Sequence, residues 1–258
     1  MKKRILWINP LGTSAFDEPM RASFATEVEP DVRVDVVSLG KGPEHLEYHY
    51  YEALVLPDIL HAVKRAENQG YDGAIIGCFY DPGLREAREI VRDMVIAAPA
   101  EAALHVAATL GDTFSIIVGR RKWIPAMREN VDKYGFGGRL ASFKSLGMGV
   151  PDFHADERRT MSALIECAKE AVEKDRAEVI VLGCTIEFGF YKEIQRIVGV
   201  PVIDATLAPL KYAEFLIEIK KRFGWGHSKE GGYESPPVDE ILSWGLDSDW
   251  GTAGLWKE

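Results

Sequence analysis

The chain has 258 residues, which is one large domain or two small ones with room for a sizeable core. Its formal net charge of −9 speaks against a nucleic-acid partner, because phosphates select basic surfaces. No apolar run approaches the ~18 residues that would span a bilayer. The apolar stretch behind Met1-Lys2-Lys3-Arg4 stops at Asn9-Pro10, too short for a signal-peptide core. A cytoplasmic protein acting on a small molecule is therefore expected, with neither nucleic acid nor membrane as partner.

Arg4–Asn9 reads as a first strand and breaks at a polar loop, Asn9-Pro10-Leu11-Gly12-Thr13-Ser14. Asp31–Leu39 reads as a second strand. Tyr51–Gln69 has apolar residues at Leu54, Ile59, Val63 and Ala66 and ends at Gly70, the pattern of a capped amphipathic helix. Ala74-Ile75-Ile76-Gly77 is a short apolar strand that stops at Cys78, and Asp81-Pro82-Gly83 opens a helix expected to run to Met94. The pattern then restarts. Helix Pro99–Leu110 leads to strand Phe114–Val118, helix Pro125–Tyr134 and strand Ala141–Met148. A long helix, His154–Lys174, precedes strand Glu178–Gly183, which again stops at a cysteine, Cys184. Helix Phe188–Val198, strand Pro201–Asp204 and helix Thr206–Arg222 complete the body.

Strand–helix alternation predicts an α/β fold with parallel sheets covered by helices on both faces. The two unbroken, β-branched runs ending in Gly-Cys read as buried strands of such sheets. Ligands collect beyond the carboxyl ends of strands in open α/β sheets, so each Gly-Cys marks a ligand-binding position. The repeat suggests two similar half-domains, with one thiol from each facing a shared cleft. The last stretch, 223–258, is loop-like yet carries Trp225, Trp244, Trp250 and Trp256. That is too aromatic for a disordered tail and suggests an extension wrapped on the body or on a neighbouring subunit.

Three cysteines, with no Cys-x-x-Cys, form neither a disulfide framework nor a structural zinc site. Cys167 lies in an amphipathic helical pattern and reads as an inert core thiol. His45 and His49 are spaced i, i+4; on a helix they would share a face and, with Glu187 or a cysteine, suit a divalent metal such as zinc. A metal-bound cysteine would not also serve as an acid–base thiol, so this alternative implies a metal-dependent hydrolase or lyase.

Four stretches carry a family resemblance. The Ile8-Asn9-Pro10…Thr13-Ser14 loop, the Gly42-Pro43…Glu47…Glu52-Ala53-Leu54 segment, Cys78-Phe79-Tyr80-Asp81-Pro82-Gly83-Leu84 and Leu182-Gly183-Cys184-Thr185 resemble motifs of the aspartate/glutamate/hydantoin racemase superfamily. The match is to its hydantoin and allantoin racemase branch, and it leaves the tail uncovered. The resemblance implies two pseudo-symmetric α/β halves, 1–98 with 205–222 and 99–204, with the active site in the cleft between them. It further implies a homo-oligomer and cofactor-free racemisation or epimerisation of a 5-substituted hydantoin or similar small ring. Cys78 and Cys184 would be the acid–base thiols and Asn9, Thr13, Ser14, Phe79 and Thr185 substrate contacts, to which a departure from the family pattern adds Arg120. Two positions depart from the pattern. Val118-Gly119-Arg120-Arg121 stands where the branch carries a Thr-Thr pair, and Ile186-Glu187-Phe188 replaces small residues after the second cysteine. Gained guanidiniums suit an anionic substituent on the substrate. Glu187 beside Cys184 would raise the thiol's pKa or act as a base itself. A non-catalytic small-molecule binding protein is the remaining reading, disfavoured by the intact cysteine pair.

Overall fold

The computed structural model describes residues 2–256. The chain divides into two compact units, one of Met1–Ile76, Pro82–Ala97 and Lys211–Glu258, the other of Gly77–Asp81 and Ala98–Leu210.

The first unit contains β1 (Lys3–Asn9), α1 (Asp17–Glu27), β2 (Val32–Ser38), α2 (His49–Asn68), β3 (Gly73–Ile76), α3 (Leu84–Ile90) and β4 (Val95–Ala97). Its four strands are all parallel, in the order β2-β1-β3-β4, with Trp7 of β1 opposite Val36 on one side and Ile75 on the other. The second unit contains α4 (Pro99–Leu110), β5 (Phe114–Val118), α5 (Ile124–Lys133), β6 (Leu140–Ser145), α6 (Glu157–Glu173), β7 (Val179–Leu182), α7 (Tyr191–Val198) and β8 (Val202–Ile203). Its sheet runs β6-β5-β7-β8, again wholly parallel. Each sheet thus has its second strand outermost, then the first, third and fourth. β3 and β7 hold the same place in their sheets, and both are four-residue strands buried along their whole length. Helix α8 (Leu207–Phe223) carries the chain from the second unit into the first.

Strands β1, β3, β5 and β7 form where expected because they are apolar, largely β-branched runs buried on both faces, as the inner strands of parallel sheets require, while the outer strands β2 and β6 are only partly buried. Three elements differ. Helix α1 was not anticipated; its start is marked by Asp17, Glu18 and Pro19, but it buries only Met20 and Phe24. The helix expected from Asp81 to Met94 is shorter, Leu84–Ile90, and the residues after it form the edge strand β4. The tail contains two short helices, α9 (Val238–Ser243) and α10 (Leu246–Asp249), where loops were expected.

The tail folds back on the first unit. His227 Nε2 accepts the Ile96 N–H at 2.9 Å, so its ring proton sits on Nδ1. Lys229 Nζ donates to the carbonyls of Arg88 and Glu89, Ser235 to Glu89, and Asn68 to the carbonyl of Leu255. Trp256 lies under the Lys64 ammonium, 5.1 Å from ring centre to Nζ.

Asp81 also has a different task from the one its neighbour Pro82 suggested. It caps no helix beginning at Pro82; instead its carboxylate accepts the N–H groups of Ala100 and Glu101, each at 2.8 Å, at the start of α4. Tyr134 Oη donates a third bond at 2.8 Å. Asp81 is 3% exposed and adopts a left-handed φ of 51°, a conformation short polar side chains tolerate. Asp81→Ala strands two buried donors and a hydroxyl and should lower stability by about 2–4 kcal/mol. Tyr134→Phe removes only one of the three bonds to the carboxylate and should cost less, about 1.5 kcal/mol. Urea unfolding of both variants measures the ranking; equal or negligible losses would contradict this role for Asp81.

Candidate active site

Both Gly-Cys segments lie beyond the carboxyl ends of equivalent strands, β3 and β7. Gly183 is required at its position: a Cβ there would sit 2.7 Å from the Ile117 carbonyl oxygen and 3.0 Å from Ile116 Cγ2. Its own N–H bonds that same carbonyl at 2.7 Å, extending the β5–β7 ladder by one residue before the chain turns away. Cys184 follows in extended geometry and opens a single 3-10 turn, Thr185–Glu187.

The two cysteines open matching turns. The Cys78 carbonyl accepts the Asp81 N–H at 2.9 Å, and the Cys184 carbonyl accepts the Glu187 N–H at 3.1 Å. Each thiol is half-buried and outside any disulfide. Each turn closes on a buried acid three residues on. This Cys-x-x-acid repeat is visible in Cys78-Phe79-Tyr80-Asp81 and Cys184-Thr185-Ile186-Glu187 and was the signal the motif reading missed.

Gly77–Asp81 belongs to the second unit, so both turns are parts of one compact body. A direct bond ties them: Thr185 Oγ1, 5% exposed, donates to the Gly77 carbonyl at 3.2 Å. The residue after one cysteine therefore holds the residue before the other. The Cys78 turn is anchored further by Asn130 Nδ2, which donates to the Tyr80 carbonyl at 2.8 Å. Phe79 is buried, at 3% exposure. The Cys184 turn is held by His154, whose Nε2 donates to the Ile186 carbonyl at 2.8 Å while its ring stacks on Phe190.

Arg120 is half-buried and follows Val118 and Gly119 at the end of β5, the strand hydrogen-bonded to β7. Parallel pairing of Ile117 with Leu182 delivers Arg120 and Cys184 to the same edge of the sheet. Its carbonyl accepts the Trp123 N–H at 3.0 Å, which starts the turn into α5.

Asn9, Thr13 and Ser14 belong to the first unit. Asn9 is 1% exposed; its Oδ1 accepts the Trp7 indole N–H and its Nδ2 donates to Asp17, both at 2.7 Å. Thr13 Oγ1 accepts the Ala15 N–H at 3.3 Å, and Ser14 is exposed. His45 and His49 do not share a helical face, since His45 lies in the loop ahead of α2 and His49 is its first residue. They pair locally with Glu47 and Glu52, and Glu187 belongs to the other unit. Among the described residues no group of three His, Cys, Asp or Glu side chains is placed to hold a metal ion, and no helix among them is long and apolar enough to cross a membrane. Cys167 lies on α6 against the apolar core around Leu164 and Ala168, where burial pushes its thiol up.

Glu187 is the unusual group. It is fully buried, and neither carboxyl oxygen has a hydrogen-bond partner. Burial holds its pKa well above the ordinary carboxylate range. The N–H groups of Cys184 and Gly183 pull weakly the other way without reaching hydrogen-bond geometry, and the Asp204 charge adds to the rise.

The repeated sheet order, with cysteine-bearing turns after equivalent third strands, defines a two-domain α/β enzyme of the racemase class. The chain belongs to the Asp/Glu/Hydantoin racemase family, whose sequence pattern it matches over residues 5–213. It is 35% identical to the hydantoin racemase of Paenarthrobacter aurescens over 240 residues, covering 93% of this chain and all of that one. The allantoin racemase of Klebsiella pneumoniae superposes with a TM-score of 0.85 at 29% identity, covering 92% of this chain and 94% of that chain. Glutamate racemase from Francisella tularensis shares the fold at a TM-score of 0.61 and 14% identity, covering 88% of this chain and 84% of that chain.

A group whose folded-state pKa is raised binds its proton more tightly in the native than in the unfolded chain. Stability therefore falls as pH rises from the unfolded carboxyl value near 4.5 towards the raised folded value. Glu187→Gln removes that proton and should flatten the slope of stability against pH over this window. Urea midpoints measured across the range check it; an unchanged slope would mean that Glu187 is already ionised in the native protein.

Proposed function

We propose that the protein racemises a 5-substituted hydantoin, or a similar small ring, using Cys78 and Cys184 as paired proton-transfer groups and no cofactor. The observation that carries the reading is the duplicated cysteine turn, tied across by Thr185 and Gly77. The likeness to hydantoin and allantoin racemases supports the ring class.

Inversion requires a base on one face of the stereocentre and an acid on the other. One thiolate removes the C–H proton and becomes a thiol. The electron pair left behind delocalises onto the neighbouring ring carbonyl, and the opposite thiol returns a proton to the other face and becomes the thiolate. A free thiol has a pKa of about 8.5, near working pH, so either cysteine serves in either role. Peptide N–H groups at the strand ends are suited to stabilise the developing oxyanion. In this reading the ring lies against the turn that carries Cys78 and Phe79. The Thr185 oxygen, already donating its proton to Gly77, keeps acceptor capacity for a ring N–H. Arg120 faces a carboxylate on the 5-substituent.

Optically pure 5-methylhydantoin in heavy water tests the core of this reading. Cys78→Ser and Cys184→Ser should each slow loss of rotation by about 100- to 10,000-fold, the usual worth of a positioned acid or base. Either variant racemising at the wild-type rate would refute the two-thiol mechanism. For the substituent, Arg120→Ala should lower kcat/KM for 5-carboxymethylhydantoin by roughly 10- to 100-fold, the range of a charge-assisted bond. The rate on 5-methylhydantoin should change little. Equal losses on both substrates would remove Arg120 from specificity.

A further inference from the structure

The two cysteine turns close through the same bond from the acid's N–H to the cysteine carbonyl but differ in how their acids are satisfied. Asp81 receives three donors, from Ala100, Glu101 and Tyr134, each at 2.8 Å. Glu187, its counterpart, receives none. The peptide N–H groups of Cys184 and Gly183, at the strand end that carries the thiol, act on the Glu187 carboxyl in the direction that favours its charge. The Gly183 N–H is committed to Ile117.

Asp204 and two cysteines are the titratable groups that bear on Glu187 from neighbouring elements and from its own turn. Asp204, at the end of β8 and 4% exposed, has oxygens that accept from Thr206 N and Oγ1, Leu207 N and Gly189 N. From α6, Cys167 feels the Glu187 charge as a repulsion. On the turn itself stands Cys184. The His154 ring sits on the Ile186 carbonyl, with its other nitrogen 3.1 Å from Glu157.

We propose that Glu187 and Cys184 share a single negative charge, so that the turn holds a thiolate only while Glu187 keeps its proton. A thiolate and a carboxylate three residues apart in one short turn, the carboxylate fully buried and without a hydrogen-bond partner, would repel each other, and such a pair titrates as a unit. Glu187 is thus a positioning residue that sets how readily Cys184 gives up its proton, whereas Asp81, held by three donors, leaves Cys78 under different control. The proposal rests on the reading of Cys184 as a working thiol.

The test is site-resolved alkylation by iodoacetamide, quantified for each cysteine by mass spectrometry from about pH 6 to about pH 9.5, without substrate. Wild-type Cys184 should react along a profile with two steps. In Glu187→Gln the profile should become a single step displaced to lower pH by at least about half a unit, roughly a threefold faster reaction near neutrality. The Cys78 profile should not move. Superimposable Cys184 profiles, or a single-step profile in the wild-type protein, would overturn the proposal. Rapid labelling of core-packed Cys167 would mark a misfolded variant, in which case Glu187→Met takes its place and the wild-type profile still decides. Because no turnover is involved, loss of the thiol mechanism would appear in the racemisation of Cys184→Ser, and loss of charge sharing only in these profiles.

Discussion

A single hydroxyl joins the two cysteine-bearing turns. Thr185 donates to the carbonyl of Gly77, and each of these residues is covalently next to a cysteine. The bond has meaning only because the chain on either side is fixed. Gly183 is clamped against Ile117, where no side chain fits, and Asp81 is pinned to the first turn of α4. Neither clamp would be placed without the two four-residue strands before them, buried on both faces and therefore intolerant of register error. Strand burial, glycine contact, turn closure and cross-link form a series in which each step narrows the freedom left to the thiols.

The parallel α/β character and the positions of both cysteines at strand ends were legible because they follow from short-range rules. β-branched runs of four to seven residues, separated by helices with apolar residues at helical spacing, leave few alternatives to a parallel sheet. Elements with a weak apolar signature were lost. Helix α1 buries two side chains, too few for a periodic pattern, and β4 is three residues long, so it merged with the helix before it. The histidine pair misled for a related reason. Spacing alone places His45 and His49 on one face, but the helix starts at His49, so the relation needed for a shared ligand never forms.

What composition and spacing do not reveal is pairing across long stretches of chain. Asp81 looks like a cap for the helix that follows, and it caps one nineteen positions further on instead. Thr185 stands in the sequence as a substrate contact, and its hydroxyl bonds a carbonyl 108 residues away. The contrast between Asp81 and Glu187 belongs to the same class. Both are acids three residues after a cysteine, and only the packed structure separates a carboxylate with three donors from a carboxyl group with none.

That unequal pair of turns bears on how a racemase of this kind divides its time. For a ring with one stereocentre the two enantiomers have equal free energy in water, so kcat/KM must be the same in both directions whatever the enzyme does. Under the proposed two-thiol mechanism, inequality between the turns is barred from that ratio and would fall instead on the resting enzyme, whose proton would wait on one side more than the other. One enantiomer then meets mostly protein ready for it, and the other mostly protein that must first exchange a proton with solvent. The imbalance surfaces as a higher kcat matched by a higher KM for one hand of the substrate, and at saturation it sets which hand is consumed faster.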